Sequence, residues 1–438
     1  MQVLMLSWEY PPHMVGGLGR HVAELTPALA RQGIQVHVVT PTSQVNEVPV
    51  AVKNEVMVHR VLAPMIGAAT TDIYAQAIEA NKIIENYARE LTSTYGPFDL
   101  IHAHDWLTGF AGIALAQAWR CPLVATIHAT ERGRNRGPLN NELQYAIDRA
   151  ERDLIQQARQ IIVCSHYMFD ELQFLFQAPV GKLEVIPNAV DLADVHNGHN
   201  PIDLAAFRAK YAAPDDLIVF TISRLVYEKG VHQLVQAAPK ILAECPQVRI
   251  LIAGRGPEAE NLKWQAEHLS VADRVNFIGF VPDEARSMLF KVATCAVFPS
   301  LYEPFGIVAL EAMALKCPLV VSDVGGFLEM VNHMETGVTV YPNDAASVAW
   351  GVLHMLNHPD RAQKYAAKAR QSIDLYFNWP RIARLTGSSN CAKLTLILTN
   401  CKHDRDLSDI LQEPSYLARP PSGRGAFVFF CHRSRLQT

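Results

Sequence analysis

From residue 2 onward, short β-branched runs alternate with longer stretches in which apolar residues recur every three or four positions. Val3–Leu6, Val36–Thr40, Leu100–His102, Leu123–Ile127 and Ile161–Cys164 read as strands. His21–Arg31, Ile73–Glu90, Gly109–Trp119, Glu142–Gln157 and Tyr167–Phe176 read as the helices between them. After Val185-Ile186-Pro187-Asn188 a polar stretch runs to about Asp215, and the alternation starts afresh. Strands are expected at Leu217–Ser223, Val248–Ala253, Val275–Gly279, Ala296–Phe298 and Leu319–Ser322, and helices at Val231–Glu244, Glu258–Leu269 and Glu284–Val292. A last helical pattern, Ala345–Leu356 and Arg361–Tyr376, leads to Trp379. Alternation of this kind builds parallel sheets covered on both faces. The expected fold is α/β, two doubly wound Rossmann-like domains facing each other across a cleft. The expected divisions are residues 1–187, residues 188–375 and a partial return helix at 376–387. Ligands in such sheets bind beyond the carboxyl ends of the strands.

One stretch breaks the ordinary rules of helix composition. Ser-Leu-Tyr-Glu-Pro-Phe-Gly-Ile-Val-Ala-Leu-Glu, residues 300–311, follows the apolar run Cys295–Phe298 and leads into a helix that is apolar nearly all round. Such a helix is buried, yet it carries Glu311, with Glu303 eight residues earlier and Pro304 just inside the expected start. An unpaired buried carboxylate costs roughly several kcal/mol, so donors must meet Glu311. Two sources remain open at this point. Glu311 pairs with a basic side chain such as Arg224 while Glu303 caps the helix, or Glu311 accepts from vicinal hydroxyls of a bound ligand.

Composition narrows the class. A chain of 438 residues that is 49% hydrophobic and 19% charged has material for two cores, and its net charge of −4 argues against a nucleic-acid binder. No apolar span approaches the roughly 18 residues of a membrane helix, which leaves peripheral membrane contact open. The eight cysteines show neither C-x-x-C nor zinc spacing, fitting a reducing cytoplasm. From residue 388 to 438 the text loses helical period, and three of the eight cysteines fall there. That tail reads either as a genuine extension or as a reading-frame shift.

The loops after strands carry the chemistry. Pro11 to Gly19 places Gly16-Gly17 directly before a helix, a plausible phosphate cradle, without the third glycine of a dinucleotide fingerprint. Gly254-Arg255-Gly256-Pro257 fails the same test, which disfavours a nicotinamide enzyme. Ser223 to Gly230 carries Arg224 and Lys229, able to aim two cations at one anion. His104-Asp105-Trp106 and His128 stand at strand ends on the same rim.

Taken in order, Gly-Gly-Leu-Gly at Gly16, Ser-x-x-x-x-x-Lys-Gly from Ser223 to Gly230, and the E-x7-E element from Glu303 to Glu311 resemble the retaining glycosyltransferases of the GT-B fold, fourth family. That family includes glycogen synthases, sucrose-phosphate synthases and many bacterial lipid and polysaccharide glycosyltransferases. The resemblance covers roughly Met1 to Thr386. It implies that Glu311 binds the ribose of a nucleotide-diphospho-sugar donor, with Gly16 and Gly17 beside the diphosphate. It implies that Arg224 and Lys229 steady the departing diphosphate, that Glu303 contacts the donor sugar, and that the Phe305 and Gly306 backbone lines the same pocket. His128 would sit against the sugar near its reacting carbon, with Glu9 and Asp105 nearer a carbohydrate or lipid acceptor. No cofactor and no metal are implied; the Asp404-Arg405-Asp406 pattern lies in the tail. ADP-glucose-using glycogen synthases carry Lys two residues before the Gly-Gly pair, where this chain has Met14, which separates it from that specificity. Transfer to an α-glucan, epimerisation of a nucleotide sugar and a non-catalytic sugar-nucleotide binder stand as the alternative readings.

Overall fold

The computed structural model describes residues 1–14, 16–44, 49–63, 72–191 and 204–388; the expected tail beyond residue 388, Val15 and residues 192–203 of the polar stretch before Asp215 are among those that lie outside them. The first sheet contains β1 (Gln2–Leu6), β2 (Gln35–Thr42), β3 (Val50–Lys53), β4 (Val56–Leu62), β5 (Leu100–His104), β6 (Leu123–Ile127), β7 (Gln160–Val163) and β8 (Leu183–Val185). Its strand order is β3-β4-β2-β1-β5-β6-β7-β8, parallel except for the β3–β4 pair. The second holds β9 (Leu217–Ile222), β10 (Val248–Ala253), β11 (Val275–Gly279), β12 (Cys295–Phe298), β13 (Leu319–Ser322) and β14 (Val338–Val340), in the order β11-β10-β9-β12-β13-β14. Every pairing in it is parallel.

The buried sheet strands read as continuous apolar runs because helices cover both faces: Val3, Leu4, Met5 and Leu6 are all sealed from solvent. Strands β3, β4 and β8 escaped the sequence reading. The first is four residues long and mostly exposed, too short for its Val-Ala-Val run to set a period. The edge strand β14 is three residues long and equally easy to miss.

Each sheet reverses its winding at one place, between β1 and β5 in the first and between β9 and β12 in the second. Ligand crevices open beyond the strand ends at such switch points. The segments that follow these four strands are the glycine loop, His104-Asp105-Trp106, Ser223–Gly230 and Pro299–Gly306, the stretches that the sequence marks for chemistry.

The two domains pack against one another through one continuous apolar cluster, running from Met168 and Leu172 to Phe305 and Phe327. Polar contacts cross the same boundary. Ser165, which caps the His166–Phe176 helix by accepting from the Met168 amide, donates its hydroxyl to the Pro304 carbonyl at 2.6 Å. The Glu329 carboxylate accepts from the His166 and Tyr167 amides, each at 3.0 Å, at the positive end of that helix. Residues 379–388 are helical and return to the first domain. Trp379, Ile382 and Ala383 join the core beneath the Gly17–Ala30 helix, and the Trp379 indole donates to Glu24.

Candidate functional site

The helix Ile307–Ala314 begins three residues later than Pro304, so Glu303 and Pro304 stand in the loop ahead of it. Its N-cap is Gly306, at φ 103° with no side-chain cap, which corrects the reading of Glu303 as a helix cap. Only glycine fits there, since a Cβ would come within 2.4 Å of the Phe327 ring. Glu303 instead accepts from Lys229 Nζ at 2.7 Å and from Ser300 Oγ at 3.1 Å. The backbone brings these groups together: the Leu301 amide donates to the Glu228 carbonyl at 2.8 Å, laying the Tyr227–Lys229 turn along the loop. Arg224, nearly half exposed, pairs among the described residues with Glu228 alone, at 3.7 Å.

Arg224 is therefore not the partner of Glu311. The acid sits buried at the boundary between the domains, where Oε1 meets Arg20 Nε at 3.0 Å and Oε2 meets Arg286 Nε at 2.8 Å. Arg20 comes from the first domain, on the first turns of the Gly17–Ala30 helix, and Arg286 from the second. The basic-partner reading thus identified the right kind of group and the wrong residue. A carboxylate has about four lone-pair sites and the arginines take two, so hydroxyl donors still have places to bind.

Gly17 lies against this helix from the other side: a Cβ on it would come within 3.3 Å of Ile307. The Gly17–Ala30 helix has no side-chain cap, leaving its first-turn amides directed at the crevice. Glu9 accepts from the Gly16 amide at 3.0 Å, which puts it inside the glycine loop. Phe305 is buried, its ring 6.1 Å from Phe377, so the backbone is the part of this residue offered to the crevice.

Histidines form the floor on the first-domain side. His102 and His104, two apart on β5, share a face and stack at 4.5 Å. His104 Nδ1 and His128 Nε2 share a hydrogen bond of 3.0 Å, and His21 packs edge-on against His128 while its Nδ1 meets Asn188 at 2.6 Å. Burial holds His21, His102 and His128 down at about 3 and, with the neighbouring histidines, pushes His104 well below its ordinary value, so all four are neutral at pH 7. Ring nitrogens of His21, His104 and His128 lie within 4.8 Å of one another, a donor set competent for a divalent ion, though their mutual hydrogen bonds already occupy part of it.

Asp105 fixes the position of His128. Its Oδ1 accepts from the His128 amide at 2.7 Å, and burial pushes its carboxyl up to about 6. Its backbone, at φ 57° and ψ 174°, occupies a region nearly reserved for glycine. Such a conformation costs roughly 1–3 kcal/mol and concentrates at functional sites.

The neutral histidines make the fold sensitive to acid. Below about pH 6.5 the unfolded chain takes up protons that the native His102 refuses until about pH 3. Stability therefore falls as the pH drops through that window, by about 1.4 kcal/mol per pH unit for one such group. A His102→Gln variant is expected to flatten the urea-derived stability slope between pH 6 and pH 4 by about that amount; an unchanged slope would show that the imidazole is not buried neutral.

Sequence reasoning missed Arg20, Arg286, Tyr302 and Glu171. Tyr302 sits inside the Ser300–Glu311 stretch and donates across the boundary to Glu171 at 3.1 Å, which Thr130 also meets at 2.6 Å. Arg20 stands three residues after Gly17, and that proximity was the available signal. Nothing in the local pattern marks Arg286.

Two parallel α/β domains meeting at their switch points, with this set of groups at the carboxyl ends, define a glycosyltransferase of the GT-B class. The family model described as Glycosyltransferase Family 4 matches residues 15–194, and the one described as Glycosyl transferases group 1 matches residues 205–372. A glycogen synthase of Mycobacterium tuberculosis is 36% identical over 397 residues, covering 88% of this chain and 93% of that protein. An uncharacterised glycosyltransferase of Methanocaldococcus jannaschii is 35% identical, covering 88% and 97%. Among solved structures, sucrose-phosphate synthase from Thermosynechococcus elongatus superposes with a TM-score of 0.76 at 26% identity, over 91% of this chain and 99% of that one. The chain belongs to the group 1, family 4 glycosyltransferases, and it is an enzyme that transfers sugar from a nucleotide-linked donor. Among the described residues no helix is long and apolar enough to cross a membrane.

Proposed function

We propose that this enzyme moves a hexosyl group, glucosyl or mannosyl, from a nucleotide-diphospho-sugar to a carbohydrate or lipid-linked acceptor, with retention at the anomeric carbon and without a metal. The observation that carries the donor side is the convergence of Lys229, the uncapped helix at Gly17 and the buried Glu311 on one crevice. Glu311 accepts from the ribose hydroxyls. Arg224, Lys229 and the Gly17 amide face the diphosphate, the Gly16 amide being held by Glu9, and Glu303 and the Phe305–Gly306 backbone face the sugar.

Breaking the bond to phosphate passes through an oxocarbenium-like state, so the largest need is positive charge on the departing diphosphate in an oriented, dry pocket. Lys229 and Arg224 supply that charge. Attack comes from the face that the diphosphate leaves, and a phosphate oxygen accepts the acceptor's proton. His128, neutral and held by Asp105, presents an uncharged polar surface to the sugar without competing for the diphosphate. Glu9 and Asp105 lie on the acceptor side. A second reading, transfer onto an α-glucan, is favoured by the 36% identical relative, whose name is glycogen synthase.

A thermal-shift panel of UDP-, GDP- and ADP-sugars tests the donor reading. A ligand that binds only the native state adds about 2.7 kcal/mol at a hundred times its Kd. One nucleotide series is expected to raise the melting temperature by several degrees; no response to any of the three would contradict the proposal.

A further inference from the structure

A cavity of about 540 Å³ opens in the second domain at the carboxyl end of the edge strand β14, lined by Asp323, His333, Thr339, Tyr341, Ser347 and Trp350. Its volume falls in the range of small-ligand pockets. None of these residues belongs to the donor site described above.

Two large aromatic rings stand open here. Tyr341 is 69% exposed and Trp350 43%. Trp350 is positioned by the Ala345–Asn357 helix, which Asp344 caps by accepting from the Ser347 amide at 3.0 Å. Ser347 in turn holds the Tyr341 amide at 2.9 Å, fixing the chain that carries the second ring. His333 stacks 6.2 Å from Trp350 at an interplanar angle of 20°.

Two polar groups at the rings keep hydrogen-bonding capacity, although Asp323 also feels the charge of His333. His333 Nδ1 accepts from the Thr339 amide at 3.1 Å, which leaves the proton on Nε2, and that nitrogen has no partner among the described residues. The Asp323 carboxylate likewise accepts no hydrogen bond among the described residues; only its backbone amide is used, toward the Val340 carbonyl at 2.8 Å. The cavity thus combines apolar ring faces with a free acceptor and a free donor at their edges. A phosphorylated ligand would meet the charges of Asp323 and Asp344, and a purely apolar one would strand the Asp323 carboxylate. A ring with C–H faces and hydroxyl edges satisfies both, since its faces lie on the aromatics and its hydroxyls both donate and accept.

We propose that this cavity is a second carbohydrate site, binding a neutral oligosaccharide chain on Tyr341 and Trp350 with Asp323 and His333 at its hydroxyls. The inference stands apart from the donor assignment, because none of its residues contacts Glu311 or Lys229.

The test is isothermal titration of the full chain with maltoheptaose, cellopentaose and mannopentaose in the presence of saturating nucleotide. At least one probe is expected to bind, and Trp350→Ala and Tyr341→Ala each to weaken it at least tenfold, with Trp350→Phe restoring much of the loss. The nucleotide thermal shift of each variant, which reports on the donor site alone, is expected to match that of the unmodified chain and shows that the variant is folded. Equal affinity in the unmodified chain and both alanine variants would overturn the proposal, and so would the absence of binding for all three probes.

Discussion

Lys229→Ala is expected to lower sugar transfer by about two decades or more, read as kcat/KM with a nucleotide sugar donor. The ammonium is fixed by Glu303 at 2.7 Å and, in the proposed function, faces the site where negative charge develops as the diphosphate departs. An interaction of that kind strengthens as the bond breaks, so its loss falls on the chemical step as well as on binding. The same substitution leaves Glu303 buried beside Ser300 without its cation. A buried carboxylate stripped of its partner costs about 3 kcal/mol, so some loss of thermal stability accompanies the loss of rate. A Lys229→Ala, Glu303→Gln double variant is expected to recover the stability, which isolates the charge-burial part; because Glu303 itself faces the sugar in the proposed function, the rate effect of the lysine is read from the single variant. Near-normal kcat/KM in Lys229→Ala would remove the lysine from the reaction.

Glu311→Gln is expected to act on nucleotide affinity first. A hydrogen bond to a charged group contributes about 1.5–3 kcal/mol, so the Kd for the nucleotide diphosphate should rise by roughly ten- to a hundredfold. The chemical step, measured at saturating donor, should change by less than about threefold. The substitution also removes one of the carboxylates that Arg20 and Arg286 share, at 3.0 Å and 2.8 Å, leaving Arg20 with Glu24 and Asp283 and Arg286 with Asp283. That part of the effect is read from the melting temperature without nucleotide, and the ligand part from titration at a temperature where both proteins are folded. Unchanged Kd together with a lowered melting temperature would make Glu311 a structural link between the domains and no more.

Much of this arrangement was legible because the features that carry it are local. Strand and helix alternate within windows of about ten residues, so the central strands of both sheets and nearly every long helix follow from periodicity, while β3, β4, β8 and β14 do not. The glycine loop, the Ser223–Gly230 turn and the residues around Glu303 are short motifs in which residue type and spacing already state the chemistry. What the sequence concealed depends on strand order and on contacts across long separations. Strand order puts the four chemistry-bearing loops at two switch points, and no single loop announces it. Arg20 meets Glu311 across 291 positions and Glu329 reaches the His166 amide across 163, neither of which leaves a local signature. Glu311 itself advertised that a partner was needed, since an acid in an apolar helix demands donors. Which donors answered was settled by the packing of two domains.

The edges of elements were the least readable part. Pro304 resembles a helix-starting proline, yet the helix waits for Gly306, because Glu303 and Ser300 hold the loop toward Lys229. Asp105 shows the converse: its strained backbone is invisible in the sequence, although its place after β5 was enough to single it out.

The most direct measurement is a crystal structure of the protein with the nucleotide diphosphate that gives the largest thermal shift. Both ribose hydroxyls are expected within about 3.2 Å of the Glu311 carboxylate oxygens, with the diphosphate between Lys229 and the Gly17 amide. A nucleotide bound elsewhere, with Glu311 still engaged only by Arg20 and Arg286, would contradict that arrangement.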